Sequence, residues 1–178
     1  MPKISREQND ADETRIMDEL LANPSLDATQ IAEKTGISRR KVWKVLSQLE
    51  ENGTILAHSA IIDPIRLGKK SYLVLCERSS KHADDRFLDL ILSEIFVEEL
   101  RKQSINATIQ DGYYMAGPYD WAFMVVANEH KDFMRLLELS KRAFEGYFSK
   151  YVVTEIVFTR SRNGVRNQHV EKLADNLR

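Results

Sequence analysis

The chain has little of what marks secreted and membrane proteins. It contains one cysteine, Cys76, which excludes an intrachain disulfide framework and is expected to pack in an apolar run. No apolar run approaches the length that crosses a bilayer, and residues 1–15 are polar and lack the apolar segment of a secretion signal. The sequence therefore predicts a cytoplasmic protein with no membrane segment.

The sequence also has none of the usual signs of catalysis or metal binding. Its four histidines have no partner at a spacing of three or four residues, and no cysteine pair or glycine-rich phosphate loop is present. These histidines are His58, His82, His130 and His169. We therefore expect no catalytic residue, no metal site and no cofactor.

Neither positive nor negative charge is in large excess over the whole chain. The 26 basic residues nearly balance the 27 acidic ones, which gives a formal net charge of −1. Any attraction to nucleic acid must therefore come from a local basic patch. With 178 residues and 43% hydrophobic content, the chain is long enough for one large domain or two small ones.

Residues 27–52 have the pattern of two short helices joined at a glycine. Asp27 and Gln30 stand at the spacing of a capping box, which fixes where the first helix begins. Gly36 ends that helix, and Ser38 is positioned to cap the second one. In the second helix an apolar stripe of 3.6-residue period precedes Gly53, and its members are Val42, Val45, Leu46 and Leu49. The pattern predicts a helix-turn-helix.

The other face of the second helix predicts contact with double-stranded DNA. Long cations near a helix N-terminus oppose the helix dipole, and a phosphate backbone gives them a partner. Ser47 and Gln48 can form hydrogen bonds with base edges. The candidate DNA-binding residues are Ser38, Arg39, Arg40, Lys41, Trp43, Lys44, Ser47 and Gln48. The alternative is a capped helical hairpin whose basic cluster is only solvated surface.

The flanking segments complete a domain over residues 1–63. Asp12 is positioned to cap a further helix that carries Ile16, Met17 and Leu20 on its inner face. Residues 54–63 are rich in β-branched side chains and predict a wing strand or a strand that links two domains. Pro64 and Gly68 then mark the start of a second domain.

Residues 64–160 alternate strand and helix patterns in the order βαββαβ. The strands are expected at 70–78, 107–117, 119–128 and 151–159, and the helices at 83–102 and 130–144. This order predicts a ferredoxin-like antiparallel sheet with helices on one face. Because the other face would be open in a monomer, we expect a homodimer. Residues 161–178 form a tail of net charge +2, predicted as either a short helix or a frayed end.

The order of these parts resembles the leucine-responsive regulator and asparagine-synthase regulator (Lrp/AsnC) family of transcription factors. The resemblance covers about residues 11–160 and rests on short motifs in their order. These include Ile31-Ala32 before Gly36-Ile37-Ser38, Ile62-Asp63-Pro64, and Ala116-Gly117-Pro118-Tyr119-Asp120. It implies an α+β fold with an N-terminal winged helix-turn-helix and a C-terminal ferredoxin-like domain of the RAM or ACT type. It also implies dimers, which often assemble into tetramers or octamers, and amino-acid effectors.

By this resemblance the effector would bind at the turn formed by Gly117, Pro118, Tyr119 and Asp120. Free backbone amides can hold a carboxylate, and an aspartate can pair with an amino group. The same residues are also good turn formers in the absence of any ligand. One departure concerns the second helix, because the family usually has arginine at the position of Val45. Any contact made there must come from Lys44 or be lost.

Two other functions fit the same domain order. Relatives of this family in haem biosynthesis decarboxylate tetrapyrroles, but the predicted second and third strands offer no histidine for such a site. An effector-independent protein that organises chromosomal DNA would share every DNA-binding residue. A DNA-binding regulator with an amino-acid effector is the function that the sequence favours.

Overall fold

A computed structural model describes residues 6–178 of the chain. The chain divides into two compact units, with the boundary between Ala60 and Ile61. The sequence predicted this boundary at residue 63. The N-terminal unit contains three helices: α1 (Arg6–Ala22), α2 (Ala28–Thr35) and α3 (Arg39–Glu51). Their buried faces form one apolar core made of Ile16, Ile31, Ile37, Val42, Val45 and Leu49. The predicted three-helix arrangement is confirmed.

Asp12 does not cap a helix, so that prediction is wrong. Helix α1 begins before this residue, and Asp12 lies inside it with a buried side chain. The carboxylate instead accepts a hydrogen bond from Lys41 Nζ, 2.6 Å from Asp12 Oδ2. Residues 6–11 contain no strong helix breaker, so the helix can extend past the apparent capping position.

The predicted strand at residues 54–63 is also absent from the structure. After α3 the chain turns at Gly53, which has a φ of +75°, and the segment that follows has no regular secondary structure. The β-branched residues of this segment favour an extended backbone, but a strand requires a neighbouring strand with which to form hydrogen bonds. Local composition cannot supply that partner.

The C-terminal unit is built on a four-stranded antiparallel sheet. Its strands are β1 (Lys70–Arg78), β2 (Ala107–Tyr114), β3 (Trp121–Ala127) and β4 (Phe148–Ile156), and its larger helices are α4 (Asp85–Leu92), α5 (Ile95–Lys102) and α6 (His130–Ala143). The spatial order of the strands is β2-β3-β1-β4. This arrangement is the ferredoxin-like sheet that the sequence predicted, and the bounds of β1 are those predicted.

The two faces of the sheet differ in what covers them. Tyr72, Val74 and Cys76 of β1 are buried in the main core with residues of α5 and α6. The alternate residues Leu73 and Leu75 point to the opposite face and are only half-buried. The most buried apolar residues of β1 therefore lie on the helix-covered face.

The single helix predicted at residues 83–102 is two helices in the structure. Helix α4 ends at Leu92, Ser93 has an extended backbone with φ −111° and ψ 168°, and α5 begins at Ile95. The apolar pattern continues through the break, so it gave no sign of one. Strand β4 also begins three residues before its predicted start at residue 151.

The C-terminal tail folds against the second unit. It contains a two-stranded hairpin of β5 (Ser161–Arg162) and β6 (Val165–Arg166), a 3-10 turn at Val170–Lys172 and a short helix α7 (Leu173–Leu177). The Arg162 guanidinium lies 3.3 Å from Asp111 Oδ2 of β2. Asn167 donates from Nδ2 to Asp63 Oδ2 at 3.2 Å, which ties the tail to the start of this unit.

Candidate nucleic-acid interface

The turn between α2 and α3 is fixed by local hydrogen bonds that the sequence predicted. Asp27 Oδ1 accepts from the amides of Thr29 and Gln30, at 2.8 and 2.9 Å, and Gln30 Oε1 accepts from the Asp27 amide at 2.9 Å. Gly36 ends α2 with a φ of +69°, a conformation that glycine adopts without strain. The capping box and the glycine stop are both confirmed.

Helix α3 begins after Ser38, but not through the hydroxyl cap that was predicted. Ser38 occupies the N-cap position with an extended backbone, and its side chain makes no capping hydrogen bond. Its carbonyl accepts from the amides of Lys41 and Val42 at 2.8 and 3.0 Å. The backbone alone thus closes the first turn, and the exposed Ser38 side chain stays at the tip of the helix.

The inner face of α3 is apolar and packed. Val42, Val45 and Leu49 are buried against residues of α1 and α2. Val45 is only 8% exposed, so this position points into the core and not to the outer surface. A contact with DNA at position 45 is therefore not available to this chain in the described conformation.

The outer face of α3 holds most of the predicted DNA-binding side chains. Arg40, Trp43, Lys44 and Ser47 follow the helical spacing i, i+3, i+4 and i+7, which places them on one face. The first three are exposed, and Trp43 has 66% of its surface accessible. Exposed Arg39 and Gln48 flank this face, and Ser47 is half-buried. The arrangement is a basic, partly aromatic surface on one helix.

Lys41 differs from the other three cations of α3. Its Nζ lies 2.6 Å from Asp12 Oδ2 and 2.9 Å from Asn9 Oδ1, and its side chain is 22% exposed. The hydrogen bond from Lys41 lowers the pKa of Asp12, although the burial of the carboxylate acts in the opposite direction. Lys41 therefore holds α3 against α1. Because Asp12 and Lys41 are far apart in the sequence, no sequence pattern indicated this pair.

A second bond positions α1 against the end of α2. The Arg15 guanidinium donates to the carbonyl of Thr35, one of the last carbonyls of that helix. The Thr35 hydroxyl donates to the Ile31 carbonyl at 2.7 Å, and both residues are buried. The end of α2, which leads into α3, is thus held by one bond from α1 and by one bond within α2.

The predicted effector turn is held by β1 of its own domain. Asp120 Oδ2 accepts from the Arg78 amide at 2.7 Å, and the Asp120 amide donates to the Cys76 carbonyl at 2.9 Å. Gly117 and Pro118 are exposed and Tyr119 is half-buried. The four predicted residues therefore form one compact turn whose aspartate already has a structural role.

Among residues 6–178, no group of three or more histidine, cysteine or acidic side chains could hold a metal ion. No helix in this range is long and apolar enough to cross a membrane.

Comparison with known proteins connects the helical unit to DNA binding. A family model of winged helix-turn-helix DNA-binding domains matches residues 12–55, which include all of α2 and α3. The proline dehydrogenase transcriptional activator of Rhodobacter capsulatus is 28% identical over 159 residues, covering 83% of this chain and 92% of that protein. Over residues 12–55 the N-terminal unit therefore matches winged helix-turn-helix DNA-binding domains.

Two solved structures share the fold across both units. The leucine response regulatory protein of Mycobacterium tuberculosis superposes with a TM-score of 0.63 at 20% identity, covering 89% of this chain and 97% of that one. A feast or famine regulatory protein from M. tuberculosis, solved with L-methionine, gives a TM-score of 0.61 at 19% identity, covering 86% and 95%. Both similarities extend through the ferredoxin-like sheet.

Proposed function

We propose that this chain, a DNA-binding transcriptional regulator of the leucine-responsive and asparagine-synthase (Lrp/AsnC) type, recognises its operator by placing α3 in the major groove. The observation that carries the proposal is the outer face of α3, where Arg40, Trp43, Lys44 and Ser47 share one side of the helix. A helix of this width fits the major groove, where its outer side chains reach phosphates and base edges.

The side chains on this face divide into two roles. Arg39, Arg40 and Lys44 are the phosphate contacts, because they are long, exposed cations near the start of the helix. Ser38, at the tip of the same helix, adds a neutral phosphate contact through its hydroxyl. The phosphate contacts set the position of α3 on the duplex.

Base selection falls to the remaining outer residues. Ser47 and Gln48 hydrogen-bond base edges, and Trp43 offers an apolar surface to a thymine methyl group. Lys41, already paired with Asp12, acts by positioning α3. Specificity therefore comes from residues that carry no charge, and affinity comes from the cations.

Base reading and phosphate binding are separable by mutation. We expect Gln48→Ala to weaken binding to the operator by about 1–3 kcal/mol and to leave binding to a scrambled duplex of the same length unchanged. Arg39→Ala should weaken binding to both duplexes by similar factors, because a phosphate contact carries no sequence information. The operator is obtained from a genome-wide map of bound sites. Equal losses on both duplexes for Gln48→Ala would contradict the assigned roles.

The active form is proposed to be a homodimer that presents two α3 helices to two half-sites, and such dimers can assemble into tetramers or octamers. The support is the sheet face opposite the helices, where Leu73, Leu75, Met124, Val152 and Ile156 are half-buried apolar residues. A second copy would remove this surface from water. Half-sites would then be about one helical turn of DNA, or a multiple of it, apart.

An amino-acid effector is proposed to bind at Gly117, Pro118, Tyr119 and Asp120. The exposed turn offers backbone amides to a carboxylate, and Asp120 offers negative charge to an amino group. The L-methionine complex of the structurally similar feast or famine protein supports this ligand class.

Thermal unfolding in the presence of each of the twenty amino acids tests the effector. A ligand that binds the folded state stabilises it by about 2.7 kcal/mol at a hundred times its dissociation constant. We expect at least one amino acid to raise the midpoint, and Asp120→Asn to lose this response. A flat response from the wild type, with operator binding intact, would instead support an effector-independent DNA-organising protein.

A further inference from the structure

The largest core of the protein contains an apolar cavity. It has a volume of about 300 Å³ and lies between the sheet and helices α4, α5 and α6. Val74 and Cys76 of β1 and Phe123 of β3 line it from the sheet, and Phe96 and Leu137 line it from the helices. Cores are normally packed with few voids larger than a water molecule, so a space of this size needs an explanation.

The cavity lies beside the break between α4 and α5. Ser93 and Glu94, the two residues between these helices, both line the cavity. On either side of the break, Leu92 is 80% exposed and Ile95 is 54% exposed. Apolar side chains thus surround a point at which the helical layer is interrupted, which gives the cavity a route to solvent.

The lining favours an uncharged ligand. Among the residues that the structure describes, Glu94, at the break, is the only charged one that lines the cavity, and no cation does. Burial raises the pKa of the Cys76 thiol to about 12, so the thiol remains protonated and neutral. A carboxylate placed here would lose its hydration without gaining a positive partner. The lining therefore disfavours free amino acids and other anions.

Two buried polar groups in the wall lack hydrogen-bond partners. Trp121 and Tyr151 lie on either side of Cys76 in the register of β3, β1 and β4, and both line the cavity. Neither the Trp121 indole N–H nor the Tyr151 hydroxyl has a partner among the described residues. Buried groups of this kind are nearly always paired in proteins. Each donor atom has almost no accessible surface, so its side chain must shift to pair with an acceptor atom of a bound molecule.

We propose that this cavity is a binding site for a neutral, largely apolar molecule about the size of a monosubstituted benzene that carries one hydrogen-bond acceptor. An apolar cavity of roughly half this volume is known to stay dry and to take up benzene. The site shares no residue with α3 or with the turn at 117–120. It is therefore a second ligand site, with lining residues different from those of the proposed amino-acid effector site.

Three probes of similar shape test the proposal by calorimetric titration of the full chain. They are acetophenone, which is neutral and has an acceptor, isopropylbenzene, which is neutral and has none, and benzoate, which is charged. We expect acetophenone to bind saturably, isopropylbenzene to bind several-fold more weakly, and benzoate to bind at least tenfold more weakly than acetophenone. In Tyr151→Phe the preference for acetophenone over isopropylbenzene should shrink, because the hydroxyl donor is gone.

A cavity-filling variant locates the binding. Ser140 of α6 lines the cavity, so Ser140→Phe should weaken both neutral probes at least tenfold. Glu138→Ala, at an exposed position of the same helix outside the lining, should leave them unchanged. Ile91→Trp, on α4, is the second filling variant if Ser140→Phe does not fold by circular dichroism. Absence of saturable binding by both neutral probes, equal binding of benzoate and acetophenone, or unchanged binding in a folded filling variant would each overturn the proposal.

Discussion

Helices α3 and α6 have similar length and amphipathic character but opposite charge order. Helix α3 has 13 residues and α6 has 14, and each buries one apolar face. Helix α6 has Asp132 in its first turn and Lys141 and Arg142 in its last turn. Helix α3 begins with Arg39-Arg40-Lys41 and ends with Glu50-Glu51. In α6, Asp132 and the last-turn cations match the dipole, and the first-turn cation Lys131 is paired with Glu129 at 2.8 Å. The charged ends of α3 oppose its dipole.

The difference separates charges that serve folding from charges that need an external partner. In α6 each charged end stabilises the helix that carries it. In α3 both ends are mildly destabilising. Among the described residues, Lys41 is compensated by its pair with Asp12, and Arg39 by the charge of Asp27. Arg40 and Lys44 gain a partner when a polyanion such as DNA is bound. Charge order relative to the dipole is thus a physical sign of a binding helix.

Charge reversal at one end of each helix should change DNA affinity in α3 and stability in α6. The loss of DNA affinity is the largest expected effect. Arg40→Glu should weaken DNA binding about 100-fold by losing a cation and adding an anion, without lowering the midpoint of thermal unfolding. Arg142→Glu, its counterpart in the last turn of α6, should leave DNA affinity within about twofold and lower stability slightly. Binding and melting assays of both variants test this. Equal losses of DNA affinity would remove the distinction between the two helices.

The glycine turns near these helices offer a second comparison. Gly36, before α3, has φ +69°, and Gly146, after α6, has φ +81°. An alanine Cβ at Gly36 would meet no atom within 4 Å, so Gly36→Ala should cost about 1 kcal/mol through backbone strain alone. Gly146→Ala should cost a similar amount. Urea unfolding measures both costs. Only Gly36→Ala should also reduce DNA affinity, because Gly36 sets where α3 begins.

The Asp12 and Lys41 pair predicts a pH dependence specific to the N-terminal unit. Because the hydrogen bond from Lys41 lowers the pKa of Asp12 in the folded state, the pair stabilises the fold above the unfolded pKa of about 4. This stabilisation is lost as the pH falls through the folded pKa. Asp12→Asn should therefore be less stable than the wild type near neutral pH, and the gap should close in acid. A gap that stays constant in melting experiments down to about pH 3 would rule out this role.

The smallest expected effect is at the acidic end of α3. Glu51→Lys should raise stability by about 0.3–1 kcal/mol, because a cation suits the last turn of a helix. Glu51 is exposed and takes part in no ion pair among the described residues. Chemical unfolding measures the gain. A loss of stability would mean that the dipole does not account for the difference between α3 and α6.

Features set by neighbouring residues could be predicted from the sequence, and features set by distant ones could not. The capping box of Asp27 and the bounds of β1 depend on local chemistry and periodicity, and both were predicted correctly. The role of Asp12 depends on Lys41, which lies on another helix. A strand at 54–63 would need a pairing partner that composition cannot reveal. Long-range pairing thus accounts for these two errors. The Ser38 side-chain cap and the unbroken helix through Ser93 are local features that were also predicted wrongly.

The cavity also could not be predicted from the sequence. The helix break at Ser93 contains no proline or glycine, and the apolar period runs through it. The candidate DNA-binding residues were easier to infer because they share one helix, where spacing alone determines which side chains lie together. Spacing could not reveal that Lys41 turns towards α1 while Arg40 and Lys44 stay exposed.

The salt dependence of DNA binding tests the central claim most directly. Binding of a duplex from the protein's own promoter is measured for the wild type and for the double variant Arg39→Ala/Arg40→Ala over a range of salt concentrations. The wild type should bind more tightly at low salt, and its logarithmic salt slope should be steeper by about two, one for each lost phosphate contact. Equal affinity and equal slope for the two proteins would contradict the assignment of α3 as the DNA-binding helix.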